Sequence, residues 1–263
     1  STNASLSVNK QIKIQRMANT TQRQDEVSTA PITYEDVSLF NPQDGFASFL
    51  IPAVLILIIQ QTLLLGIGLL AGTAREKNLF RDLIPLKRQY QGTLRIVLGK
   101  SAAYLLIYVL VSAYILCLVP KMFSLVQIAQ PMTLLAFVLP YLLACIFFAM
   151  TCSIFIHHRE SCMMIYVFTS VPLLFISGIS WPGTSIPLFW EIFSWLFPST
   201  FGINGFVRIN TMGATLYDVK TEYAALWLQA CIYFVTTCLV YRYQIMLSRR
   251  HALVRLKQMT KAD

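Results

Sequence analysis

Polar and apolar positions divide the chain into long apolar runs separated by short polar breaks. Five runs stand out: residues 46–72, 96–119, 132–156, 163–180 and 224–241. Each is about 18 residues or longer, enough for a helix to cross roughly 30 Å of hydrocarbon. The pattern predicts an all-α membrane protein with five transmembrane helices. A sixth apolar stretch, "SIPLFWEIFSWLFP" from Ser185 to Pro198, is too short to span. Pro182, Gly183, Pro187 and Pro198 bracket it, and Gly202 and Gly205 follow. A short apolar segment fenced by helix breakers predicts a re-entrant helical hairpin, the alternative being a helix lying at the headgroups.

Between the first two runs lies "REKNLFRDLIPLKRQYQ". Leu79, Phe80, Leu83 and Ile84 share one helical face among charges, and Pro85 interrupts the pattern. This predicts an amphipathic helix that either lies on the bilayer or docks a soluble partner. Residues 1–45 are polar; "NKQIKIQRM" reads as a strand and "NTTQRQDEVSTAP" as a loop.

Composition agrees with lipid as the solvent. The 263 residues are 56% hydrophobic and 13% charged, against about 25% charged in an ordinary soluble domain. The net charge of +9 then reports orientation or anionic lipid rather than nucleic acid. Arg75, Lys77, Arg81, Lys87, Arg88, Arg95 and Lys100 cluster around the first polar break. Arg242, Arg249, Arg250, Arg255, Lys257 and Lys261 crowd the C-terminal tail, and Arg159 follows the third run. The opposite loops carry only Lys121, Arg208 and Lys220. The positive-inside rule places the basic loop and tail in the cytoplasm and residues 1–45 outside. Residues 1–45 themselves hold no secretory signal of the charged-then-apolar kind. The expectation is a truncated chain, in which 1–45 is the remnant of an extracytoplasmic domain preceded by a further span. Residues 46–263 are then the transmembrane domain with its basic tail.

Candidate chemistry is sparse. Gly99-Lys100-Ser101 invites comparison with a phosphate-binding loop, but that loop needs a glycine five residues before Gly99, where Leu94 stands. The triplet also leads into an apolar run. Lys100, about one turn inside its span, is expected to snorkel to the cytoplasmic edge. "HHRE" at 157–160 lacks metal-ligand spacing and reads as a wet turn. The six cysteines form no CxxC pair and read as small packing residues. The apolar interiors hold no Asp or Glu, against the usual ion-coupled transporter, and no nucleophile–base set points to an enzyme. Gln60 and Gln61 are the mild polar exceptions. Gly68 and Gly72 form a GxxxG that permits close helix packing. Pro52, Pro140 and Pro172 are candidate kinks.

Several of these features combine. An extracytoplasmic segment and a span lead into "REKNLFRDLIPL", a Gly-Lys opens the next span, and two more spans precede "FISGISWPGTSIPLFWEIFSWLFPSTFGINGFVRI". The order resembles the permease subunit of ABC-2 type exporters. The most specific piece is Ser177, Gly178, Trp181, Pro182, Pro187, Pro198, Thr200 and Gly205. The lead-in "NPQDGFASFLIPAVL" is similar to members with a large extracytoplasmic domain between their first two spans. Where many members carry Gly-Thr after the charged "REK"-like group, this chain has Asn78-Leu79.

The resemblance implies a permease that pairs with a second copy or a paralogue in a bacterial inner membrane. It implies a separate cytoplasmic ATPase that binds ATP and magnesium, so that this chain carries no cofactor and no catalytic or metal site of its own. It places ATPase coupling on Arg75, Glu76, Lys77, Phe80, Asp82 and Leu83. It places an extracytoplasmic gate on Trp181, Pro182, Pro187, Phe189, Trp190 and Glu191. A periplasmic adaptor is a further candidate partner. The other reading of the same features is a non-transporting membrane anchor or assembly protein.

Overall fold

The computed structural model describes residues 46–76, 92–123, 127–156, 158–178 and 187–259, with side chains described over 50–246 of these. The described residues belong to one compact unit, Gln43–Asp263. All their regular structure is helical. α1 is Phe46–Glu76 and α2 is Thr93–Ala113, continued by a π-helical turn Tyr114–Leu118 and Val119–Met122. α3 is Pro131–Cys152, closed by a 3-10 turn Ser153–Phe155, and α4 is Arg159–Ile176. α5 is Leu188–Ser194, α6 is Pro198–Met212 and α7 is Lys220–Met259.

Five stretches are long and apolar enough to cross a membrane: Leu50–Glu76, Thr93–Met122, Pro131–Phe155, Arg159–Ile176 and Lys220–Met246. They answer to the five apolar runs. Several extend past the run by a turn, because polar residues at a span's ends can complete the helix while their side chains meet the interface. Lys100 lies further along its helix than the one turn expected, for this reason. α2 starts at Thr93, so Lys100 sits about two turns in, and its Nζ lies 5.5 Å from the Tyr241 ring of α7. The prolines Pro52, Pro140 and Pro172 lie within continuous helices. All six cysteines are free.

α1 and α3 form the centre of the bundle. α3 packs most extensively on α7, and α1 on α4. α6 fits into the groove they leave, touching α1, α3 and α7. Two glycines allow this approach. A methyl at Gly202 would stand 3.3 Å from Ile56 and closer still to the Tyr141 ring, and one at Gly205 would enter the Phe137 ring. Tyr141, Phe137, Phe206, Ile56 and Ile203 are fully buried at this junction. α2 and α4 are mostly exposed, and their outward side chains are apolar: Leu106, Ile107 and Leu110 on α2, Val167, Phe168 and Val171 on α4. Apolar side chains facing outward are what a lipid solvent favours.

Candidate functional site

In the elbow between α5 and α6, Trp195–Phe197, the carbonyls of Trp195 and Leu196 find their partners on another helix. These partners, Gln229 and Tyr233, sit about 14 and 20 Å along α7 from Lys220, at 1.5 Å per residue. Irregular backbone inside an apolar bundle is tolerated only when protein groups pair with it, and here they do. Gln229 Nε2 donates to the Trp195 carbonyl at 2.6 Å. The Tyr233 hydroxyl donates to the Leu196 carbonyl. The Thr200 hydroxyl, from the first turn of α6, donates to the Ser194 carbonyl at 2.8 Å.

The start of α6 is tied in the same manner to α1. Pro198 occupies the first helical position, where its missing N–H costs nothing. The next N–H, that of Ser199, donates to Gln60 Oε1 at 2.7 Å. Gln60 is about 15 Å along the candidate span from Leu50, so the first turn of α6 is anchored to the interior of that helix. Around it the Tyr141 hydroxyl donates to the Ile56 carbonyl at 2.7 Å, and Cys145 Sγ lies 3.8 Å from Gln60 Oε1. From there α6 rises toward the start of α7, where Arg208 pairs with Glu222 at 2.9 Å. Gly213, at φ 64°, takes the left-handed conformation that closes α6. Asp218 braces the following loop by accepting from Thr215 N and Oγ1 at 2.8 and 2.7 Å. These two bonds stabilise the ionised carboxylate and hold its pKa below the usual carboxylate range.

The residues expected to form the gate fall partly within this region. Pro187 is the residue before α5, and Phe189, Trp190 and Glu191 are exposed on α5. Trp181 and Pro182 lie outside the described residues. Edge-to-face ring pairs run Phe189–Trp190–Phe193–Phe197–Phe148–Tyr233, with centroids 5.3–6.0 Å apart. The ladder joins α5 through the elbow to α3 and α7.

At the opposite end of the bundle, Arg75 closes α1. Its Nη1 donates to the carbonyls of Ser153, Ile154 and Ile156 at 2.8, 2.9 and 2.5 Å. The Ser153 carbonyl also accepts from Ile156 N at 3.3 Å, and a cation is the favoured partner for carbonyls at a helix C-terminus. Glu76 reaches Arg159 at 3.8 Å across exposed surface, a contact worth little. Lys77, Phe80, Asp82 and Leu83 lie outside the described residues, as do the strand expected within 1–45 and His157 of the "HHRE" turn. Gly72 faces the backbone of His158 and Arg159, with a hypothetical methyl 3.0–3.1 Å from it, and Gly68 faces Cys162 and Ile156. The GxxxG face therefore seats α1 against the start of α4. Among the described residues no His, Cys, Asp or Glu group has the clustering to hold a metal.

Sequence reasoning singled out Gln60 only as a mild polar residue and did not single out Tyr141, Gln229 or Tyr233. The available signal was the rarity of amides in apolar runs: a glutamine in a span needs a partner at depth, and here that partner is the hairpin backbone.

No curated protein and no solved structure matches the chain significantly. The profile described as ABC-2 family transporter protein matches residues 1–239. The match takes in the polar segment 1–45, the spans and the α5–α6 region alike. The chain belongs to the ABC-2 family of transporter proteins and is a multi-pass membrane component of that family.

Proposed function

We propose that this chain is the permease subunit of an ATP-driven exporter, with ATP and magnesium bound on a separate ATPase subunit. The family match over residues 1–239 carries the reading. The segment after α1, through Leu86, docks the ATPase on the cytoplasmic side, as the Lys/Arg bias requires. A second permease copy or a paralogue completes the path, with a periplasmic adaptor as a further partner. The substrate leaves a bacterial inner membrane on the side of α5 and α6.

The geometry supports a specific route for force. A partner that pulls on Lys77–Leu83 acts on Arg75, and Arg75 holds the end of α3 through three carbonyls. α3 packs on both α7 and α6, and α7 holds the elbow through Gln229 and Tyr233. Movement at one end is thereby handed to the hairpin at the other. The pairing of the elbow with Gln229 and Tyr233, inside the apolar stretch of α7, supports a re-entrant hairpin over a surface helix. Trp181, Pro182, Pro187, Phe189, Trp190 and Glu191 act as its gate.

Phe80→Asp tests the docking. It is expected to abolish export and partner ATPase stimulation while the protein still inserts. Wild-type export and stimulation in that variant would place docking elsewhere. Purification in mild detergent without any ATPase would favour the anchor reading.

A further inference from the structure

The junction of α1, α3 and α6 holds more polar capacity than its protein groups use. Gln60 is 1% exposed and Ser199 is 0% exposed. The Ser199 N–H can only donate, so the amide oxygen of Gln60 must face it, and the amide orientation is settled by this bond. That leaves Gln60 Nε2, with two N–H groups, and no partner for it among the described residues. Ser199 Oγ is likewise buried without one. Both atoms belong to the two groups joined by the 2.7 Å bond, so both lie beside the first turn of α6. The Tyr141 hydroxyl and the Cys145 thiol meet at the same place, and both residues are fully buried.

The chemistry of these groups selects the ligand. Two N–H donors and the positive end of a helix repel a cation. A bare anion would have to be stripped of water in an apolar bundle, with no cation among the groups that meet here. A water molecule is neutral, accepts from Nε2 and can give or take with the hydroxyl, and buried waters characteristically make about three such bonds. We propose that Gln60, Ser199, Tyr141 and Cys145 form an internal hydration site, whose bound water bridges Gln60 Nε2 to Ser199 Oγ and latches the start of α6 to α1. The joint between hairpin and span is then a hydrated polar contact that can exchange partners, where a purely apolar joint could only separate. This site does not depend on what the protein transports.

Thermal unfolding of the intact protein in lipid nanodiscs tests it, with Ser199→Ala, Gln60→Leu and the double variant. Ser199→Ala is expected to lower the unfolding temperature by about 2–4 °C, the shift for losing one buried hydrogen bond in a chain of this size. Because one water serves both residues, the double variant should lose less than the sum of the singles. If Ser199 Oγ has no ligand, deleting it removes a buried unpaired group, and an unchanged or raised unfolding temperature overturns the proposal. Strictly additive losses overturn it too. Should Gln60→Leu fail to fold, Ser199→Ala decides alone, together with density for a solvent molecule within hydrogen-bond distance of both atoms. A dry junction at a resolution that shows other buried waters, or an anion peak there, also overturns it.

Discussion

Replacing Arg75 by methionine removes the clamp on α3 while keeping an apolar stem of similar length. One guanidinium nitrogen carries two hydrogens, so the carbonyls of Ser153, Ile154 and Ile156 share two donors. Hydrogen bonds to a charged group contribute about 1.5–3 kcal/mol each, or roughly 3–6 kcal/mol for two. Arg75 is half-buried, and at the bundle end water can replace part of the loss, leaving about 2–3 kcal/mol. At about 2–4 °C per kcal/mol for a chain of this length, Arg75→Met should unfold about 5–10 °C below wild type. Arg75→Lys keeps a charge and donors at the tip of a longer, less directional stem, and should lose about half as much. Tryptophan fluorescence during heating in nanodiscs reads all three proteins. The clamp also predicts that Arg75→Met lowers export more than it lowers ATPase binding. An unfolding temperature within about 1 °C of wild type would refute the reasoning, since the carbonyls of Ile154 and Ile156 cannot lose this donor without cost.

Other expectations are simpler. Gly205→Ala should destabilise by about 1–3 kcal/mol in the same assay, because the new methyl meets the fully buried Phe137 ring; Gly99→Ala, with nothing within 4 Å of the added atom, should be neutral or slightly stabilising. Tyr233→Phe strips the Leu196 carbonyl of its donor and should cost about 1–3 kcal/mol, with reduced export where the elbow loosens. Asp218 has a lowered folded-state pKa, from its bonds to Thr215. Its contribution is therefore present above the unfolded pKa and disappears as pH falls through the folded one. The stability gap between wild type and Asp218→Asn should be constant near neutral pH and close progressively below roughly pH 4; a gap that persists in acid would remove the carboxylate from the loop's support.

Length and hydrophobicity are properties of each segment alone, and for that reason the five spans were legible without a structure. Residues 46–72 must leave water however the rest of the chain is arranged, and a helix is the fold that satisfies their backbone in lipid. The Lys/Arg bias is local in the same sense. The family resemblance, carried by Ser177–Ile209 and the order of the spans, likewise needed no coordinates, and the profile match over residues 1–239 places the chain in that family.

Partnership between segments could not be read this way. The sequence marks Gln60 as polar within an apolar run, but whether it would face lipid, another span or a half-helix depends on a contact 139 positions away. The same holds for Tyr233 and Leu196, or for Arg75 and the carbonyls that end α3. Arg75 is a charge at a span's end by sequence, and a bundle clamp only once α3 arrives beside it. Lys100 is an interfacial lysine by sequence, and stands over Tyr241 only because α7 passes there. Lipid selects which segments are helices, segment by segment. Which helix presents the missing donor or acceptor to which is decided by the pairing of buried polar groups, and that pairing exists only when the bundle has assembled.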